Sequence, residues 1–177
     1  MADIRQQVEA DQGILKKIQL VIPGFRGYRK REDIRAADSI LRLQMADSLV
    51  RVREGLEESR QAMTEDYQTK NIDRIGSAIN KARTLEGKVR HAEQGYSGFS
   101  PAIRIEEAEL NRLYEYDASL ITGIQHMEQA QANLLSAVQA GDQDTARQHL
   151  DDIKKELVDF ERVFEERIPR VAGIYNM

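Results

Sequence analysis

Apolar residues return at steps of three and four along almost the whole of this chain, and that period constrains its fold more than any other feature. It is cleanest near the C-terminus, where Ala146, Leu150, Ile153, Leu157, Phe160 and Phe164 keep a heptad. The same step links Ile72, Ile75, Ile79, Ala82, Leu85 and Val89, and then Leu113, Leu120, Ile124, Met127, Leu134 and Val138. Earlier, Ile34, Ala37, Leu41, Met45, Val52, Leu56 and Met63 keep it too, and Ile4, Val8, Leu15, Ile18 and Ile22 keep it in part. Such spacing gathers apolar side chains on one stripe of a helix and leaves the opposite face polar. Only three prolines interrupt 177 residues, and charged residues make up 32% against 6% aromatics, a composition of long helices.

Breaks in the period divide the chain into five helices. The first is expected over Asp3–Val21 and the second from Tyr28 or Arg29 to about Thr69, thinning and projecting beyond Glu57 where the stripe fades. A third is expected from Ile72 to about Gln94, and a fourth from just after Arg104 to Ala140, with Gly141 as its C-cap. Asp142 or Asp144 caps the fifth, which Pro169 should stop. The expected fold is all-α: an elongated antiparallel (up-down-up-down) four-helix bundle preceded by an N-terminal helix. It makes one domain over 1–177, with the N-terminal helix at 1–21, the bundle at 29–168 and a docked tail at 169–177.

Two stretches break the period with glycines and aromatics. In Ile22–Arg35, IPGFRGYRKREDIR, Pro23 disfavours helix in the residue before it, and Gly24 and Gly27 accept positive φ. Phe25 and Tyr28 are too large to stay wet in a short turn, so packing onto helix ends is expected. Arg26, Arg29, Lys30, Arg31 and Arg35 crowd around them. Cations in the first turn of a helix oppose its macrodipole, which points to an anion or an acidic partner nearby. The second stretch, GYSGFSP, spans Gly95–Pro101. Short links bring both stretches and the C-terminal tail to one end of the bundle. Tyr96, Phe99 and Tyr175 are expected to form an aromatic end cluster there, beside a partner- or anion-binding set of Phe25, Arg26, Tyr28, Arg29, Lys30, Arg31 and Arg104. A hydrophobic plug closing the bundle is the competing expectation for the rings.

The pattern IPGFRGYRKREDIRAADSILR, with the later GYSGF and LNRLYEYDASL, resembles an uncharacterised prokaryotic all-helical family. That family carries an IPG-aromatic-x-Gly-Tyr turn, then basic and acidic residues, then Ala-Asp and Leu-Arg. The resemblance covers most of the chain. It implies a helical fold with the two turns as signatures, and no catalytic residues.

Net charge is −4, but residues 1–104 carry +4 and residues 105–177 carry −8. The halves are therefore complementary, either within one bundle or between the basic end of one molecule and an acidic surface of another. No run approaches the ~18 apolar residues of a membrane span, and the polar start MADIRQQVEADQG carries no apolar leader core. A cytoplasmic location is expected. The absence of cysteine excludes disulfides, thiolate nucleophiles and Cys-based metal sites.

Catalytic chemistry finds little footing. A di-iron bundle needs Glu-x-x-His, yet Lys88, Gly123 and Ala146 stand three residues before His91, His126 and His149. Glu115 and Asp117 are two apart, and such residues do not face each other on a helix. Ser97 and Ser100 have no neighbouring His. No catalytic residue, metal or cofactor is therefore assigned. The residues favour a non-catalytic helical protein-interaction or scaffold protein with a basic, aromatic docking end and an acidic protein partner, with homo-oligomerisation open. The alternatives are a nucleic-acid or anionic-membrane binder using that end, against which the overall acidity argues, and an enzyme with a site among the convergent loops.

Overall fold

In the computed structural model, residues 4–25, 31–92 and 107–176 are described, with side chains over 13–25, 36–92 and 111–169. These residues form five helices: α1 (Ile4–Val21), α2 (Arg31–Glu65), α3 (Ile72–Arg90), α4 (Glu107–Gln139) and α5 (Gln143–Asn176). A single 3₁₀ turn, Thr69–Asn71, precedes α3, and no strand occurs among the described residues.

The apolar stripes meet in one core. Leu41, Leu49 and Leu56 from α2, Ile75, Ala82 and Leu85 from α3, Leu113, Met127 and Leu134 from α4, and Leu150, Leu157 and Phe164 from α5 are all withdrawn from solvent. Each such large side chain contributes about 1.5–3 kcal/mol of burial, which is why stripe periodicity outweighs the polar majority of the sequence. Phe160 and Phe164 stack nearly parallel on α5, with centroids 6.2 Å apart.

Side-chain links give three of the packed pairs a direction. Arg53–Glu86, Arg83–Glu57 and Arg90–Asp47 run α2 and α3 in opposite senses. Asp117–Arg167 and His126–Glu156 do the same for α4 and α5. From the 3₁₀ turn along α3, Lys70–Asp144, Arg74–Asp151, Lys81–Glu161 and Lys88–Glu165 climb together with α5, so α3 and α5 run in the same sense. Helix α2 packs along α3 and α4, and α5 along α3 and α4, while α3 and α4, consecutive in the chain, are not packed neighbours along their described lengths. Helix α1 packs on α4 through Ile18 and its continuation Ile22. At Gly55 of α2 an added Cβ would stand 2.2 Å from Gln131 Cδ of α4, so the missing side chain permits this approach.

Those links also account for the uneven charge. In Arg51–Glu128, Lys70–Asp144, Arg74–Asp151, Lys81–Glu161 and the pairs of Lys88 with Glu161 and Glu165, the cation comes from the first half and the acid from the second. The opposite net charges of the halves meet inside one molecule.

Two expectations are corrected. The far part of α2 is packed rather than projecting: Ser59 and Met63 are buried, and Ser59 Oγ donates to the Gly55 carbonyl at 2.9 Å. The small Ser59 satisfies its own hydroxyl on the preceding turn, so its polarity does not keep it outside. Pro169 does not stop α5, which continues to Asn176. The ring removes one donor, but the preceding turns are held by Phe164 and Arg167, both fully buried.

The end of the molecule containing residues 66–72 and 139–143 is closed by two adjacent turns of the same kind. Gln68 N–H donates to Met63 O and Tyr67 N–H to Thr64 O, with Tyr67 at φ 55°. Asp142 N–H donates to Ala137 O and Gly141 N–H to Val138 O, with Gly141 at φ 71°. Both are Schellman motifs, whose left-handed residue satisfies the last helical carbonyls. Asp142 then caps α5, accepting from Thr145 N–H at 3.0 Å, and that bond holds its carboxyl below the usual range. Gln68 Nε2 donates to Val138 O at 2.9 Å and Asn71 Nδ2 to Gln143 O at 3.0 Å, tying the two turns together.

Candidate functional site

At the other end, four helices meet through buried charge. Asp38 and Arg42 stand one turn apart on α2, so both face inward, and Arg42 Nε donates to Asp38 Oδ2 at 2.8 Å. Arg42 Nη1 also reaches the carbonyls of Val89 and Arg90, each at 3.3 Å. A cation at those last carbonyls suits the negative end of the α3 macrodipole. From α5, Arg167 Nε donates to Asp117 Oδ1 of α4 at 2.6 Å. Its Nη1 lies 2.6 Å from Asp38 Oδ1, an ion pair without the alignment of a hydrogen bond.

All four side chains are at most 2% exposed. Two acids and two bases make the cluster neutral as a set, which is the condition under which charges tolerate a dry interior. Beside it, Phe25 is buried and meets Tyr114 edge-on, with centroids 6.5 Å apart and planes at 87°. The turn before it uses Gly24 at φ 84° and a Phe25 N–H to Ile22 O bond of 3.3 Å.

Of the residues singled out from the sequence, Phe25 is therefore an interior ring. Arg31 opens α2 and Tyr175 lies in the last turn of α5, with their side chains outside the described residues. Arg26, Tyr28, Arg29, Lys30, Tyr96, Phe99 and Arg104 lie outside the described residues altogether. In chain order 26–30 precede α2 and 93–106 lie between α3 and α4.

Sequence reasoning missed Asp38, Arg42 and Arg167, and treated Asp117 only as half of a weak acid pair. A signal was present. Asp38 falls between Ala37 and Leu41 on the buried stripe of α2, and Arg167 stands three residues after Phe164 on the stripe of α5. A charge in register with an apolar stripe needs a partner in the core, and two charges of each sign answer one another here.

The histidines are dispersed. His126 Nδ1 lies 3.6 Å from Glu156 and His149 Nδ1 lies 4.0 Å from Asp152, with His126 63% exposed. No group of three or more metal-ligating side chains occurs among the described residues. Open grooves run beside α1 and between α4 and α5; the larger, about 480 Å³, is lined by Ile14, Lys17, His126, Glu156, Phe160 and Val163. Among the described residues no helix is long and apolar enough to cross a membrane. No family model matches the chain, and neither a curated protein nor a solved structure gives a significant match.

Proposed function

We propose that this chain is a non-catalytic cytoplasmic interaction or scaffold protein, an antiparallel four-helix bundle with an added N-terminal helix that docks an acidic protein through its basic, aromatic end. The observation that carries this reading is the buried Asp38–Arg42–Arg167–Asp117 cluster. It joins α2, α4, α5 and the end of α3. A docking loop gains affinity when its anchors are rigid before the partner arrives. Four helices tied by buried charges make such a frame. The cations assigned to read an acidic surface are Arg26, Arg29, Lys30 and Arg31, in the sequence that runs into α2.

The test is affinity capture from the native host with the wild-type chain and with Arg29→Glu/Lys30→Glu/Arg31→Glu. A protein retained by the wild type and lost by a variant of unchanged helix content supports the docking reading. Equal capture by both, or unfolding of the variant, assigns the cations a structural role. Loss of nucleic acid or anionic vesicles instead of protein, steeply reversed by salt, moves the assignment to that class.

A further inference from the structure

The bundle closes without its first helix. Helices α2, α3, α5 and α4 form a ring in which each packs on two others, whereas α1 lies outside the ring, packed chiefly along α4. Every seam of the ring is crossed by an ion pair: Arg53–Glu86, Arg51–Glu128, Arg74–Asp151 and Asp117–Arg167. Among the described side chains of α1, none is tied to the ring by a hydrogen bond or ion pair. Its attachment is apolar packing alone.

That packing fades along the helix. Phe25, Ile22 and Ile18 are buried, Leu15 and Ile14 are half-buried, and Gly13 is exposed. The C-terminal end is the fixed one, where Phe25 meets Tyr114. Open grooves border α1 on both sides. Toward α5, Ile14 and Lys17 line the groove of about 480 Å³ with Glu156, Asp159 and Phe160. Toward α2, Val21 and Ile22 line one of about 90 Å³ with Met45, Ile121 and Ile124. A helix bordered by grooves is held along one line of contact, and elements with few buried contacts open at the lowest cost in free energy.

We infer that α1 is a strap that opens from α4 as a unit, turning about the Ile22–Phe25 anchor, and that the surface it uncovers at Ile121 and Ile124 takes a basic amphipathic helix from a partner. The helix seated there in cis states the chemistry of its competitor. Ile14, Ile18 and Ile22 repeat at four residues, the spacing of helix-in-groove anchors. Lys17 shares its groove with Glu156 and Asp159, so a cation on the incoming helix meets acids. Because α1 holds the same surface, a partner's apparent affinity falls by the fraction of chains that are open. The inference uses none of the cations assigned to the docking end and is independent of that reading.

The experiment is amide hydrogen exchange on the full chain, as wild type, Gly13→Ala and Ile18→Asp, followed by titration with a labelled synthetic peptide of residues 1–25. Wild-type α1 is expected to exchange faster than the buried stretches of α2–α5. A Cβ at Gly13 would meet nothing within 4 Å, so Gly13→Ala adds helix propensity alone. It should slow exchange in α1 roughly fivefold and leave α2–α5 at their own rates. Ile18→Asp should speed exchange in α1 by about tenfold or more, again without effect on α2–α5. The peptide should bind the Ile18→Asp chain saturably and slow exchange over 118–128 of α4. It should bind the wild type about tenfold more weakly, and a peptide carrying Ile18→Asp should bind neither chain. Exchange of α1 in step with α2–α5, or an effect of either variant spread through the bundle, makes α1 an integral helix and overturns the inference. So does an Ile18→Asp chain that ignores the peptide or binds it no better than wild type.

Discussion

Arg167 on α5 and Asp117 on α4 are joined by a 2.6 Å hydrogen bond in which both side chains are fully withdrawn from solvent. The same guanidinium faces Asp38 of α2, so one side chain holds three helices together. A buried pair of this kind gains little over an apolar replacement, yet loses much when one member is removed.

Truncating Arg167 should therefore cost more than its hydrogen bonds alone. Arg167→Ala leaves Asp38 and Asp117 short of a countercharge, and a loss of about 3–5 kcal/mol is expected in urea unfolding. Arg167→Met/Asp117→Leu removes acid and base together and leaves Asp38 with Arg42. The double variant should be more stable than the sum of its singles predicts, by about 1 kcal/mol or more. Additive losses would mean the residues do not act as a unit.

The α3–α5 seam gives stability a dependence on pH at both extremes. Hydrogen bonding from Lys81, and then from Lys88, holds the Glu161 carboxyl below its usual range. A depressed acid stabilises fully above about pH 5 and loses that contribution as pH falls through its folded-state value. Hydrogen bonding to Glu165, then to Glu161, raises Lys88, so its contribution is complete at neutral pH and is lost as pH rises through the raised value. Both groups are partly exposed, which limits each to about 0.5–1 kcal/mol. Glu161→Gln should flatten the acid limb of a Tm-against-pH curve; an unchanged limb would place the acid sensitivity elsewhere.

The paired turns predict opposite responses to opposite substitutions. Gly141→Ala puts a Cβ into left-handed backbone and should destabilise by about 1 kcal/mol. Tyr67→Gly relieves that cost but frees the unfolded chain, for a net gain of about 0.5 kcal/mol. Thermal melts of both variants read the two signs directly.

Pro169 sits within α5 and cannot donate to the Glu165 carbonyl. Pro169→Ala supplies the missing N–H and removes the ring from the preceding turn, so stability should rise by about 1–3 kcal/mol. Slower amide exchange around residues 169–173 would locate the gain. No change in exchange would mean that the carbonyl is satisfied by another donor.

The number of helices and most of their limits were legible in the stripes. Gly141 and Asp142 were readable because capping chemistry acts within a few residues. Misreadings came where a local rule met a distant contact. The polar run after Glu57 reads as frayed until Met63 and Gln68 are seen against neighbouring helices, and Pro169 reads as a stop until α5 is seen anchored by Arg167.

The candidate site divides in the same way. Glycine, aromatic and basic residues at 22–35 mark a break and a charged helix start, since those properties belong to single residues and their neighbours. Which charges neutralise one another could not be read from the order of residues. The Asp38–Arg42 pair, Asp117 and Arg167 lie far apart in the chain, and nothing local says which acid meets which base. Only packing brings them into one dry space, where the cost of an unpaired ion compels acid to meet base. The sequence alone therefore determined five helices and their inward stripes, because periodicity is a local property. Tertiary structure decided which helices are neighbours, which charges are buried and which ring is left outside, because those follow from the space the stripes must share.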